Sequence, residues 1–354
     1  MEPMPTPVSR RHFLLGATAA LACGGVLNSE HPAAAEPRMP VGTEIPKQSL
    51  KGVVIPGTGQ RVPRTGDDFE DEKWMYYPQH PKSSYNIDEN IRAPGGVSSN
   101  YLWVEAAKRG TPDVVKRIPT PKGGIEGSTG SIMMQTLYSG VPGKLSGADQ
   151  QDDLLQDVKG RFGSEIPCSW TPNVTVRVWV PPADRWEMRY DYSFGFRAGL
   201  MGHTPKGKSD EYWPGIFLEQ QFDLKNGEKH SFVRSRIRGD EWGRDLPGPT
   251  YECETWITMG MSFTPDGRCH FFSKAGVEDL TAADHLGSWL SYNWRAHTFM
   301  TYFFNVMNRD DGRSLSTPWV IDDPALYVAS PPQQQRSAQR PGDVIKQTSG
   351  WFFK

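Results

Sequence analysis

Between residues 174 and 238 the chain runs in short segments in which apolar and polar side chains alternate, separated by stretches rich in turn residues. Val174, Val176, Val178 and Val180 alternate with Thr175, Arg177 and Trp179. Phe194, Phe196, Ala198 and Leu200 alternate with Ser193, Gly195, Arg197 and Gly199, and Ile216, Leu218 and Phe222 alternate with Phe217, Glu219, Gln221 and Asp223. A period of two belongs to a strand with one buried and one polar face, because successive side chains leave a strand on opposite sides. FVRSRIRG continues the pattern, setting Arg234, Arg236 and Arg238 on one side and Val233, Ser235 and Ile237 on the other. TPDG at 264–267 supplies a tight turn between MGMSF and RCHFF, which makes a hairpin. With 36 glycines and 30 prolines in 354 residues, breaks come too often for long helices. Short ones are expected near 149–158 and 280–286. The pattern predicts an all-β fold, a two-sheet antiparallel β-sandwich.

The flanks read differently. Residues 9–15 are SRRHFLL, followed by GATAALACGGVL and then Ala33, Ala34 and Ala35 before Glu36. Paired arginines, an apolar stretch and an Ala-x-Ala site in that order predict a twin-arginine export signal over 1–35, hence a periplasmic or extracellular protein. Lipidation at Cys23 is the rival reading. Residues 36–66 are expected as an extended arm or linker, 67–329 as the sandwich and 330–354 as a flexible tail. Beyond the signal, Cys168, Cys253 and Cys269 are an odd, widely spaced set without metal-ligand spacing, and one dispensable disulfide is compatible with them. Lys and Arg number 39 against 41 Asp and Glu. That balance carries no electrostatic footprint for nucleic acid, and past the N-terminus no apolar run approaches the ~20 residues that cross a bilayer.

Four stretches in order resemble the framework of the concanavalin A-like lectin and glucanase superfamily. They are DDFEDEKW at 67–74 as an opening strand, YSFGFRAGL with EYWPGIFL from Tyr192 to Leu218, GMSFTPDGRCHFFSKAG from Gly260 to Gly276, and STPWVIDDPALYV from Ser316 to Val328 as a closing strand. The second and third are similar to the laminarinase and lichenase family. The resemblance implies a jelly-roll sandwich that engages a polysaccharide. It does not extend to that family's acid pair. Retaining hydrolases need two carboxylates about 5–5.5 Å apart, and where the acidic strand is expected this chain reads SFVRSRIR. Glu219 with Asp223, or Glu252 with Glu254, are the nearest substitutes.

If the strands from Thr175 to Arg238 share one sheet, its polar face carries Arg177, Trp179, Arg197, Glu219, Gln221, Arg234, Arg236 and Arg238. Guanidinium forks bind carboxylates in bidentate fashion and an indole offers a flat surface to a sugar ring, so the face suits an anionic polysaccharide. Jelly-roll alginate lyases resemble the chain in architecture, and cleave uronic-acid chains by β-elimination. That resemblance implies Arg234 or Arg236 with Gln221 to neutralise the substrate carboxylate, His270 as base and Tyr302 as acid. The alternatives are a lectin-like binding module and a glycoside hydrolase using Glu219 or Glu254. No cofactor is required by any of them. A structural calcium ion is compatible with the acidic turns at Asp310–Asp311 and Asp322–Asp323. The oligomeric state is not legible.

Overall fold

Alternation of this kind makes strands that are stable only when their apolar faces meet, and the chain solves this with two sheets packed face to face. The structure, a computed structural model, describes residues 48–331 except 84, 86–91, 142 and 190. The predicted export signal and nearly all of the C-terminal tail lie outside the described residues. The smaller sheet has eight strands. Along it run His285–Trp289, Cys269–Ala275, Trp256–Phe263, Pro172–Trp179, Trp319–Val328, Gly130–Gln135 and Val114–Pro119, with Gln60–Arg61 also on Trp319–Val328. The larger sheet has eleven. Its path begins Asp245–Glu252, Glu228–Arg238, Gly215–Lys225, Tyr192–His203, Arg295–Asn308 and Gln150–Gln156, and ends in three short strands. Neighbours pair antiparallel throughout, for example Arg197 with Phe303 and Val174 with Leu326. This is the two-sheet antiparallel sandwich the sequence predicts.

The core fills the space between the sheets. Val174, Val176 and Val178 come from one side, and Phe194, Phe196, Leu200, Ile216, Leu218, Val233 and Ile237 from the other. Each such side chain contributes about 1.5–3 kcal/mol on burial. The TPDG hairpin forms as expected, with Phe263 opposite Cys269 and Gly267 at φ +83°. The closing strand also forms, as Trp319–Val328. Among residues 48–66, Gln60 and Arg61 pair with Val328 and Tyr327, and Val62 is buried in the core.

Three local expectations are corrected. Residues 149–158 hold a strand, Gln150–Gln156, followed by one helical turn, Val158–Phe162. Its inward positions include Asp152 and Gln156, and polar residues facing the core hide a period of two. Asp152 is accepted there because Lys82 Nζ lies 2.7 Å from its carboxylate. Residues 280–286 contain only a 3₁₀ turn, Ala282–Asp284, capped by Thr281 and running straight into a strand. Residues 67–74 form no strand. They fold around the buried Asp67 carboxylate, which accepts from the indoles of Trp74 and Trp103, both at 3.0 Å, and from Asn100 at 2.7 Å. Cys168, Cys253 and Cys269 are all free thiols.

Candidate binding face

Strand register lays out the outer face of the larger sheet row by row. One row reads Phe303, Arg197, Gly215, Arg238, Asp245. The next reads Asp153, Asn305, Gly195, Phe217, Arg236. Beyond a bulge after Tyr192 comes Tyr192, Glu219, Arg234, and then Gln221 opposite Phe232. Because Phe194, Phe196, Leu218 and Ile237 point into the core, their sequence neighbours Gly195, Arg197, Phe217, Arg236 and Arg238 face away from it.

The arginines on this face differ in what holds them. Arg238 grips Asp245 with two bonds, Nε to Oδ1 at 2.9 Å and Nη2 to Oδ2 at 2.8 Å, and lies over the Phe217 ring at 4.5 Å. Burial pushes the Asp245 carboxyl up, but Arg238 and the Tyr192 hydroxyl, which donates to it, leave it below its ordinary range. Arg236 Nε donates to Glu219 at 2.8 Å. Arg234 has no ion-pair partner among the described residues. Arg197 is only 9% exposed and has no carboxylate within ion-pair reach among the described residues. It donates twice to the Trp213 carbonyl, at 3.2 and 2.9 Å, and sits 5.4 Å from the Phe217 ring and 5.5 Å from that of Phe303. Burial without a direct counter-charge lowers its pKa to about 10.

The floor beside Arg197 is polar and tightly built. Asn305 Nδ2 donates to Asp153 Oδ1 at 2.5 Å, while the other amide atom, Oδ1, is buried without a partner. A Cβ on Gly195 would stand 2.7 Å from that oxygen and 2.9 Å from Phe217, so only glycine lets these two side chains meet across the strand. Tyr192 packs on Phe217 with ring centres 4.8 Å apart. Burial, reinforced by Asp245, raises its pKa and holds its proton on.

The structure therefore brings together Arg197, Arg234, Arg236, Arg238, Glu219 and Gln221. Four other predicted residues lie elsewhere. Pro172–Trp179 belongs to the smaller sheet, so Arg177 and Trp179 do not join this face. Arg177 binds Asp279 at 2.7 Å, Asp323 at 3.1 Å and the Val277 carbonyl, and Trp179 packs on Trp256. His270 is also in the smaller sheet, bonded to Thr264 at 2.7 Å and Ser288 at 2.6 Å, and burial lowers its pKa to about 4. Tyr302 points into the core between Trp103 and Phe196, its hydroxyl donating to the Thr65 carbonyl at 2.9 Å. Sequence reasoning missed Tyr192, Phe217, Asp245 and Asn305. Parity from Glu219 finds Phe217 alone; Tyr192 reaches the face through the irregularity between it and Phe194, and Asn305 and Asp245 lie on strands that the alternation had not assigned.

At the acidic turns, Asp310 accepts from Ser146, Asp311 from Arg313 and Ser314, and Asp322 from Ser128. Among the described residues no group of three or more His, Cys, Asp or Glu is placed to hold a metal ion. No described helix is long and apolar enough to cross a membrane.

No family model matches the sequence, and no curated protein matches it. Among solved structures, a family 7 alginate lyase in complex with substrate is similar at 11% identity and a TM-score of 0.32, over 67% of this chain and 88% of that one. The endo-β-1,4-glucuronan lyase of Trichoderma reesei is similar at 12% identity and a TM-score of 0.33, over 72% and 94%. The binding domain of botulinum neurotoxin serotype G is similar at 9% identity and a TM-score of 0.30, over 66% and 45%. Likenesses this distant carry no chemistry across, so the fold rests on strand order and the function on the face just described.

Proposed function

We propose that this exported protein binds an anionic polysaccharide, a uronic-acid chain, along the outer face of its larger sheet. The observation that carries this reading is Arg197, a sheltered guanidinium with no carboxylate of its own, set between Phe217 and Phe303 and two rows away from Arg234, which has no ion-pair partner among the described residues. A carboxylate arriving there gains charge-assisted hydrogen bonds in a half-dry setting, where they are worth more than in water. The partly exposed rings of Tyr192 and Phe232 on the same face offer apolar surface to sugar rings. Elimination is the second reading, favoured by the Tyr192 phenol beside Arg238. A lyase must neutralise the carboxylate, take the C5 proton and protonate the leaving oxygen. A phenol held in its protonated form suits the last of these, while the histidine on this face, His230, is held between Asp223 at 3.0 Å and Glu252 at 2.6 Å, two rows beyond Arg234. The hydrolase reading has least support, because Glu219 is tied to Arg236 and Glu252 to His230 at 2.6 Å.

The test uses the mature protein with alginate, polygalacturonate and a neutral glucan, following retention, reducing ends and ultraviolet absorbance of the unsaturated uronate. Retention of the uronic chains but not the glucan is expected, weakened about tenfold or more in Arg234→Gln, the loss of one charge-assisted contact. Equal retention by that variant overturns the binding face. Rising absorbance together with reducing ends, abolished in Tyr192→Phe, adds elimination, and reducing ends alone move the case to hydrolysis.

A further inference from the structure

The loop that joins the strands Glu228–Arg238 and Asp245–Glu252 closes a second, separate feature at one end of the sandwich. An open cavity of about 450 Å³ is lined there by Asp240, Trp242, Arg244, Arg268, Trp289 and Asn293 among others. Its volume lies within the roughly 300–1,000 Å³ of small-molecule sites. Trp242 stands at 68% exposure, an unusual placement for an indole. Asp240 fixes it in place, since its buried carboxylate accepts from the backbone amides of Trp242 at 3.0 Å and Arg244 at 2.7 Å. The same carboxylate takes Arg244 Nε at 2.7 Å, no hydrogen bond of that guanidinium's terminal nitrogens occurs among the described residues, and its carbon lies 4.9 Å from the centre of the indole. Arg268 enters from the TPDG hairpin of the other sheet, half-exposed and loosely paired with Asp266 at 3.4 Å.

We infer that this cavity is a second saccharide site, which takes an anionic sugar unit by stacking its ring on Trp242 and pairing its carboxylate with Arg244 and Arg268. An exposed indole gives a sugar ring a flat apolar partner, and two guanidiniums with free donors select a carboxylate over a hydroxyl. The ligand class rests on the proposed function of the larger sheet's outer face, because this loop connects two of the strands that carry that face. A chain bound at both sites gains from effective concentration.

Calorimetry and tryptophan fluorescence with a uronic-acid trisaccharide test it, with maltotriose as the neutral control. Two equivalents are expected for the unaltered protein and one for Trp242→Ala, an exposed position whose replacement leaves the fold intact. Arg234→Gln should also leave one equivalent and keep the fluorescence change, and Arg244→Gln should weaken the pocket about tenfold by removing one charge-assisted contact. If Trp242→Ala binds as before while Arg234→Gln loses all binding, the second site is wrong and the binding face stands. If only Trp242→Ala loses binding, the second site stands and the face falls. Absence of any binding overturns both, and equal binding of maltotriose overturns the anionic selectivity.

Discussion

A guanidinium withdrawn from water without a carboxylate at hand is held at a cost, and Arg197 is kept there by two aromatic rings and one carbonyl. His270 is the opposite case, a titratable group put away in its neutral form. Burial takes it from its ordinary 6.5 to about 4. Above about pH 6.5 the imidazole is neutral folded and unfolded alike, and its contribution is complete. Between that pH and 4 the unfolded chain takes up a proton that the folded one refuses, so stability falls as pH falls. Denaturation of His270→Gln across this window is expected to show a flatter pH dependence than the parent, by a few kcal/mol at the acid end. Parallel curves would remove the buried neutral imidazole. Parity along a strand set Arg234, Arg236, Glu219 and Gln221 on polar faces from sequence alone, whereas Tyr302 entered only through the lyase resemblance and lies in the core. In TYFFNV both faces carry aromatics, and nothing local says which set, Tyr302 with Phe304 or Phe303 with Asn305, turns inward.

At the scale of the element, the sequence shows which residues share a face of a strand and leaves open which sheet receives that strand. Pro172–Trp179 lies beside Trp256–Phe263 and Trp319–Val328, partners that lie far along the chain, and only that distant pairing separates Arg177 and Trp179 from the other arginines. The strand at 150–156 was illegible for a different reason, because Asp152 and Gln156 face inward and are satisfied by groups remote in sequence. Where two strands press together without room, the element itself is testable. Gly195→Ala is expected to push Asn305 and Phe217 apart, at about 1–3 kcal/mol of stability, and to weaken polysaccharide retention. Urea denaturation and retention on the same preparation check it, and a variant as stable as its parent would show that the floor yields.

For the whole molecule, charge is nearly balanced at a net −2, so there is no long-range field to draw a polyanion in. Recognition then depends on a few near contacts. Retention should therefore weaken only gradually as ionic strength passes 0.1 M, where the screening length is about 10 Å. A steep collapse would point instead to a diffuse basic surface. The overall class of fold was readable because alternation is plain in three long strands of the larger sheet and one of the smaller, whereas the site depended on register that only the assembled sheets define.

The strand Trp319–Val328 lies inside the smaller sheet, between Pro172–Trp179 and Gly130–Gln135. Two segments made early in synthesis thus wait, with bare edges, for one made late. While the ribosome is still adding residues 180–318, the smaller sheet exists as two unjoined parts, and the apolar side chains of Val174, Val176 and Ile132 have no completed wall to cover them. Folding of this chain is accordingly an event of the finished polypeptide, and a nascent chain stalled before Trp319 is the form most exposed to chaperones, proteases and self-association.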